Sequence, residues 1–188
     1  MGKLIFVTGG ARSGKSRFAE DLFTGIDDVL YAAAAIPFDR EMENRIRIHK
    51  ERRNPLWKTV EGYNAFADSI SEYTGSCSSL LFECVTIMVT NFMLENRDLD
   101  WDNITAGEVA SVEQRVDSEV DELIKTAKNF KSLAVIVSNE TGMGIIPASP
   151  LARHFSDIAG RVNQKLAASA DEVYFTVSGI PLKIKGEK

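Results

Sequence analysis

The sequence predicts a three-layer α/β domain with a mainly parallel sheet, and three observations lead there. Short apolar, β-prone runs alternate along the chain with stretches of helical periodicity. The first run, Leu4-Ile5-Phe6-Val7, breaks into a glycine-rich segment that opens a helix, as a buried parallel strand does when it leads into a phosphate-binding turn. The last two runs, 172–177 and 182–184, flank Gly179-Ile180-Pro181 and read as a hairpin, which adds one antiparallel edge.

The glycine-rich segment is specific. Gly9, Gly14, Lys15 and Ser16 complete a G-x-x-x-x-G-K-S pattern directly after the strand. Such a loop wraps its backbone N–H groups around phosphates at the start of a helix. Lys15 then reaches the outer phosphates and Ser16 ligates Mg²⁺. The helix that must follow is present, with Phe18, Ala19, Leu22 and Phe23 as its apolar stripe. A glycine-rich turn without a ligand would not need this agreement of strand, loop and helix. A nucleoside triphosphate is the expected ligand, and the domain is expected to be of the P-loop NTPase type.

Length and charge narrow the classes. The 188 residues predict one domain, 1–188, with a substantial core. A net charge of −5 argues against a nucleic-acid scaffold. No apolar run is long enough to span a bilayer, and the N-terminus runs straight into the first strand without a secretory pattern. Cys77 and Cys84 have no metal-ligand spacing and no histidines nearby, so they read as incidental thiols in a reducing cytoplasm.

The elements between follow in order. Val29-Leu30-Tyr31 and the alanines 32–35 read as a second strand, with small residues either for a ligand's close approach or for a crowded sheet. Pro37 opens a charged helix to about Arg53. On it Met42, Ile46, His49 and Arg53 share a face, with Arg45 and Arg52 flanking the histidine. Guanidinium groups that can hold phosphates also disfavour imidazolium, so His49 would stay neutral and nucleophilic at pH 7. Spacing alone leaves open whether it is catalytic or an ordinary surface or core histidine. A strand is expected at 57–61, a helix at 64–73 and a strand at 80–83 ending on Glu83, whose carboxylate suits the metal side of a P-loop enzyme. An apolar helix covers 85–94. A polar loop then leads to Thr105 and Glu108, a capping box with Ile104 and Val109 placed as a staple, and a helix to about 129. A strand at 133–137 precedes SNETGMGIIP, a loop where open α/β sheets bind ligands. The helix at 150–168 carries Arg153, His154, Asp157, Arg161, Asn163 and Gln164, which could meet substrate, a partner subunit or water.

Taken together these segments resemble one family over nearly the whole chain: the bifunctional adenosylcobinamide kinase/adenosylcobinamide-phosphate guanylyltransferases of cobalamin assembly. The matching stretches are TGGARSGKSR, the run from Asp39 to His49, WKTVE, LLFECVTIMVTNFM, SNETGMGIIP, LARHFSDIAGRVNQKLA and ADEVYFTVSGIPLKIK. The resemblance implies that His49 accepts GMP from GTP and that Lys15 serves catalysis. It implies that Gly9, Gly10, Ala11, Arg12, Ser13, Gly14, Lys15 and Ser16 cradle the triphosphate. Ala33, Ala34, Ala35, Lys50, Glu51, Arg52, Arg53, Glu61 and Glu83 would complete the nucleotide site, and Ser16 and Glu83 would hold Mg²⁺. GTP, with ATP as a possible phosphoryl donor, a corrinoid acceptor and a cytoplasmic homotrimer are the implied partners and state. The chain departs from the family at Ala34, usually threonine, at Glu83, often aspartate, and at Ser156, usually arginine.

Overall fold

The computed structural model describes residues 2–34, Arg47 and residues 53–187. Its strands are β1 (Lys3–Gly9), β2 (Val29–Ala33), β3 (Lys58–Glu61), β4 (Ser79–Glu83), β5 (Leu133–Asn139), β6 (Glu172–Val177) and β7 (Ile180–Lys185). The described helices are α1 (Lys15–Asp21), α2 (Phe66–Ser71), α3 (Val85–Glu95), α4 (Ala106–Ala127) and α5 (Pro150–Ser169). The strands form one sheet in the order β3-β2-β4-β5-β1-β6-β7. All neighbours are parallel except β6 and β7, as the terminal hairpin predicts.

Strand pleating divides the core into the expected layers. Leu4, Phe6, Leu30, Leu80, Phe82 and Ile136 face one side of the sheet, where α2, α3, α4 and α5 pack. Ile5, Val7, Val29, Tyr31, Leu81 and Val137 face the other, against Ala19 and Phe23 from α1 and its C-terminal turn. Both faces of β1, β2, β4 and β5 are therefore dry, which explains why these strands read as unbroken apolar runs. The 22-residue α4 keeps the capping box, with Glu108 N–H donating to Thr105 Oγ1 at 3.3 Å and Thr105 N–H to Glu108 Oε2 at 2.9 Å.

Two boundaries moved for tertiary reasons. Strand β2 stops at Ala33: the Ala34 N–H still makes the last ladder bond, to Glu83 O at 3.0 Å, but its carbonyl is taken by Asn91 Nδ2 at 2.8 Å. Helix α2 begins only at Phe66, where Glu119 of α4 accepts from the Phe66 and Ala67 N–H groups at 2.8 and 3.3 Å. A carboxylate 53 residues away in sequence caps this helix, a partner no local pattern can reveal. The expected charged helix at 37–53 lies outside the described residues apart from helical Arg47 and Arg53, which sits in a bend. Cys77 and Cys84 are both buried and unbonded to each other.

The antiparallel edge is pinned electrostatically. Glu172, at the start of β6, accepts from Lys3 Nζ on β1 at 2.7 Å, from Lys183 Nζ on β7, and from the Tyr174 hydroxyl at 3.0 Å. Burial alone would raise its pKa, but the bonds from Lys183, Lys3 and Tyr174 prevail and hold the carboxyl down at about 2. A depressed carboxyl stabilises the fold fully above its ordinary value of 4.5, and the gain is lost as pH falls through about 2. Glu172→Gln should lower Tm at pH 7 by about 2–4 °C, the shift of ~1 kcal/mol in a chain of this size. Thermal unfolding across pH 7 to 2 should show the gap to the parent closing below pH 4.5. A gap at pH 2 as wide as at pH 7 would mean that the carboxylate charge is not its source.

Candidate active site

The site opens at the carboxyl ends of β1, β4 and β5. Helix α1, which follows β1, and helix α5, which follows β5, cover opposite faces of the sheet, so the loops after these adjacent strands diverge and leave a crevice. The phosphate loop fills its floor. A Cβ at Gly9 would lie 2.5 Å from Thr176 O on β6 and 2.7 Å from Ser13 Oγ, so only glycine allows the loop to leave the strand here. Gly14 has φ +94°, and a Cβ there would lie 3.0 Å from Gly179 Cα. The loop and the β6–β7 turn are further tied by Gly179 N–H donating to Ser13 O at 2.8 Å.

Lys15 opens α1 and is only 8% exposed, its Nζ donating to Gly10 O at 3.1 Å. Burial lowers the pKa of its ammonium, and the nearby Cys84 and Glu83 partly restore it. An incoming polyphosphate would favour the charged form further, because it supplies the counter-charge that the folded chain offers only in part. Ser16, next on the same helix, donates its hydroxyl to Glu83 Oε1 at the end of β4. The second oxygen of Glu83 accepts from the Tyr31 hydroxyl on β2 at 2.8 Å. One carboxylate thus links the phosphate loop to a strand three places from β1 in the sheet. Burial first, then the Glu83 charge and the bond to it, raise the Tyr31 pKa well above its ordinary value, so the phenol remains a donor. Arg53 lies over the Tyr31 ring, 3.4 Å from the ring centroid, and bonds Thr59 Oγ1 on β3 at 2.7 Å.

Behind these groups runs a buried polar relay. Cys84 Sγ and Thr86 Oγ1 are 2.9 Å apart, Asn139 Nδ2 donates to Thr86 Oγ1 at 3.0 Å, and Asn163 Nδ2 donates to Asn139 O at 3.0 Å. It ties the ends of β4 and β5 to α5. Sequence reasoning had not singled out Tyr31, Thr86, Asn91 or Asn139. Only Asn91 carried a usable signal, as a carboxamide set in the apolar run 85–94.

The expected site residues are therefore brought together in part. The loop residues 9–16, Glu83 and Arg53 surround one crevice, and Ala33 and Ala34 are buried at its β2 wall. Glu61 is exposed at the end of β3, next to Gly62, whose N–H donates to Ala33 O at 3.1 Å. Ala35, His49, Lys50, Glu51 and Arg52 lie outside the described residues. On α5, Arg161 pairs with Glu113 of α4, Asn163 holds Asn139, and Arg153 holds the carbonyls of Pro147 and Ala148, so these three serve the fold itself. Among the described residues no three His, Cys, Asp or Glu side chains converge as metal ligands.

Comparison with known proteins gives this arrangement its family. Residues 5–184 match the family of cobinamide kinases/cobinamide phosphate guanyltransferases. The chain belongs to that family. Among cobinamide kinase/guanyltransferase relatives, the bifunctional adenosylcobalamin biosynthesis protein CobU of Salmonella typhimurium is 46% identical over 186 residues, covering 97% of this chain and 99% of its own. The protein of the same name from Escherichia coli is 46% identical over the same shares. The corresponding CobP of Pseudomonas aeruginosa is 36% identical over 183 residues, 96% of either chain. A KaiC-like protein of Pyrococcus horikoshii shares the fold, with a TM-score of 0.50 at 10% identity over 92% of this chain and 70% of its own.

Gly9→Ala tests how tightly the loop is set. Its Cβ meets backbone, which cannot step aside, so overpacking of about 1–3 kcal/mol is expected, or about 2–12 °C in Tm. Titration calorimetry with GTP should show affinity down about tenfold or more. Unchanged Tm and affinity would mean that the loop has room at this point.

Proposed function

We propose that this chain phosphorylates adenosylcobinamide and then transfers GMP from GTP to adenosylcobinamide phosphate, forming adenosyl-GDP-cobinamide, with His49 carrying GMP between the two substrates. The observation that carries the reading is the bond between Ser16 of the phosphate loop and Glu83 of β4, beside buried Lys15, in a member of this family. In the first step the primary hydroxyl of the aminopropanol arm attacks the γ-phosphorus. The β–γ bridging P–O bond breaks, the nucleoside diphosphate leaves and the hydroxyl proton passes to solvent. Such a transfer asks mainly for in-line positioning and charge neutralisation, which the loop N–H groups and Lys15 offer.

In the second step a neutral imidazole nitrogen of His49 attacks the α-phosphorus of GTP and pyrophosphate leaves. A phosphate oxygen of adenosylcobinamide phosphate then attacks the same phosphorus, the P–N bond breaks and the imidazole is restored. Ala33, Ala34, Ala35, Lys50, Glu51, Arg52, Arg53 and Glu61 complete the nucleotide site in this reading. The hydroxyl of Ser16 and carboxylate of Glu83 are hard oxygen donors in mutual contact, which fits Mg²⁺ held by one or two protein oxygens together with phosphates. When bound, Mg²⁺ neutralises charge on the phosphate oxygens. A single domain, 1–188, carries both activities, as a cytoplasmic homotrimer. No described helix is long and apolar enough to cross a membrane.

Incubation with α-³²P-GTP followed by denaturation should leave acid-labile, alkali-stable label on the chain. His49→Ala should abolish the label and reduce GMP transfer by about 10³-fold or more, yet retain part of the kinase activity, because γ-phosphoryl transfer needs no protein nucleophile. His49→Asn should retain more kinase activity than His49→Ala. GDP-cobinamide formed by either variant at near the parent rate would mean direct transfer from GTP. For the metal, Glu83→Gln should raise the Mg²⁺ concentration giving half-maximal rate, and an unaltered Mg²⁺ dependence would take Glu83 out of the metal's shell.

A further inference from the structure

We propose that the cleft on the far side of the phosphate loop, between residues 10–13 and the β6–β7 turn, seats the nucleoside of the phosphoryl donor in the kinase step. It is a second nucleoside subsite, separate from the one used for GMP transfer, and it rests on the two-step reading above. The two steps draw on opposite ends of a triphosphate, the γ-phosphorus in one and the α-phosphorus in the other. Both deliver to the same arm of the same acceptor, first its hydroxyl and then the phosphate that the hydroxyl has become. If the acceptor arm keeps one position over the phosphate loop in both steps, the triphosphate lies in opposite directions in them.

The crevice has two flanks that match this need. On one, Tyr31 and Glu83 stand beside Ala34 and Arg53, the residues that bracket the stretch containing His49. In the two-step reading the GTP used for GMP transfer keeps its nucleoside on that flank. A γ-phosphorus presented to the same flank sends the nucleoside out of the loop on the other side, past Gly10–Ser13. There the structure has a cleft of about 310 Å³, lined by the loop backbone, Glu140, Met143 and the segment from Phe175 to Ser178. That volume is at the lower end of the ~300–1,000 Å³ of small-molecule sites.

Its chemistry suits a purine nucleoside. Met143, Phe175 and Val177 supply apolar and polarisable surface for a flat base. The side-chain hydroxyls of Ser13 and Thr176 are buried behind the lining rather than at the cleft surface. Glu140 sets an acceptor at the rim for ribose hydroxyls, ordered by the Gly142 N–H donating to its Oε1 at 2.7 Å. The bond from Gly179 to Ser13 holds the two walls in fixed relation, so the cleft is formed before the ligand arrives.

The test separates the two flanks. Val177, 42% exposed, can become tryptophan without loss of core packing, and the indole would fill the cleft. Val177→Trp should raise the KM for the donor nucleotide in phosphorylation of cobinamide about tenfold or more. The KM for GTP in GMP transfer to cobinamide phosphate should change less than twofold. Equal changes in both KM values, or no change in either, would mean one shared nucleoside site and overturn the proposal. Photolabelling with 8-azido-ATP reads the cleft without any turnover. Label on peptides containing Met143 or residues 175–178 supports it, whereas label only on peptides containing Tyr31 or Glu61, or none, overturns it. Label in the cleft of a chain that phosphorylates no cobinamide would instead sink the two-step reading and leave the nucleoside site standing.

Discussion

The parallel pairing of β1 between β5 and β6 is the constraint on which the rest of the site depends. It brings Gly9 against the backbone of Thr176 so closely that no side chain fits between them. The loop is thereby forced out over the ends of β5 and β4 rather than continuing along the sheet. From there Ser16 reaches Glu83 and Lys15 is pressed into a desolvated position beside it. The burial that destabilises the ammonium also readies it for a polyanion, because a ligand supplying negative charge recovers what desolvation took away.

Glu83 is the second point of convergence. It is fastened on one side by the serine of the loop and on the other by a phenol held protonated through burial. Arg53 covers that phenol and anchors to β3, so strands β2 and β3 and helix α1 all contribute to holding one carboxylate on β4. The relay from Cys84 through Thr86 and Asn139 to Asn163 stiffens the same strand ends from beneath. Such support limits the freedom of the groups that line the crevice, and preorganisation of this kind is where phosphoryl and nucleotidyl transfer gain most.

A site with chemistry at both ends of one triphosphate needs room on both sides of its phosphate loop. The flank of Tyr31 and Glu83 adjoins the residues that bracket the histidine segment, and the opposite flank is open between Met143 and the β6–β7 turn. The antiparallel hairpin, which adds little to the core, gains a use as the outer wall of that second opening. Its length beyond β1 and its bond to Ser13 are what fix the distance across the cleft.

The spacing of Gly9, Gly14, Lys15 and Ser16, the apolar runs of the central strands and the Thr105–Glu108 box were legible in the chain itself. Each depends on neighbours within a few residues or on period alone, and local sterics and hydrogen bonding decide such features wherever they occur. The role of Glu83 was only half legible: a carboxylate at a strand end can be seen, but not that it bonds Ser16 and Tyr31, 67 and 52 residues away. The carboxylate of Glu119 that starts α2, the early end of β2 at Ala33 and the engagement of the α5 polar groups with α4 were likewise decided by tertiary contact. In each case a backbone or polar group leaving water takes whichever partner the packed layers bring within reach. That choice depends on strand order, and strand order is a property of the whole sheet rather than of any stretch within it.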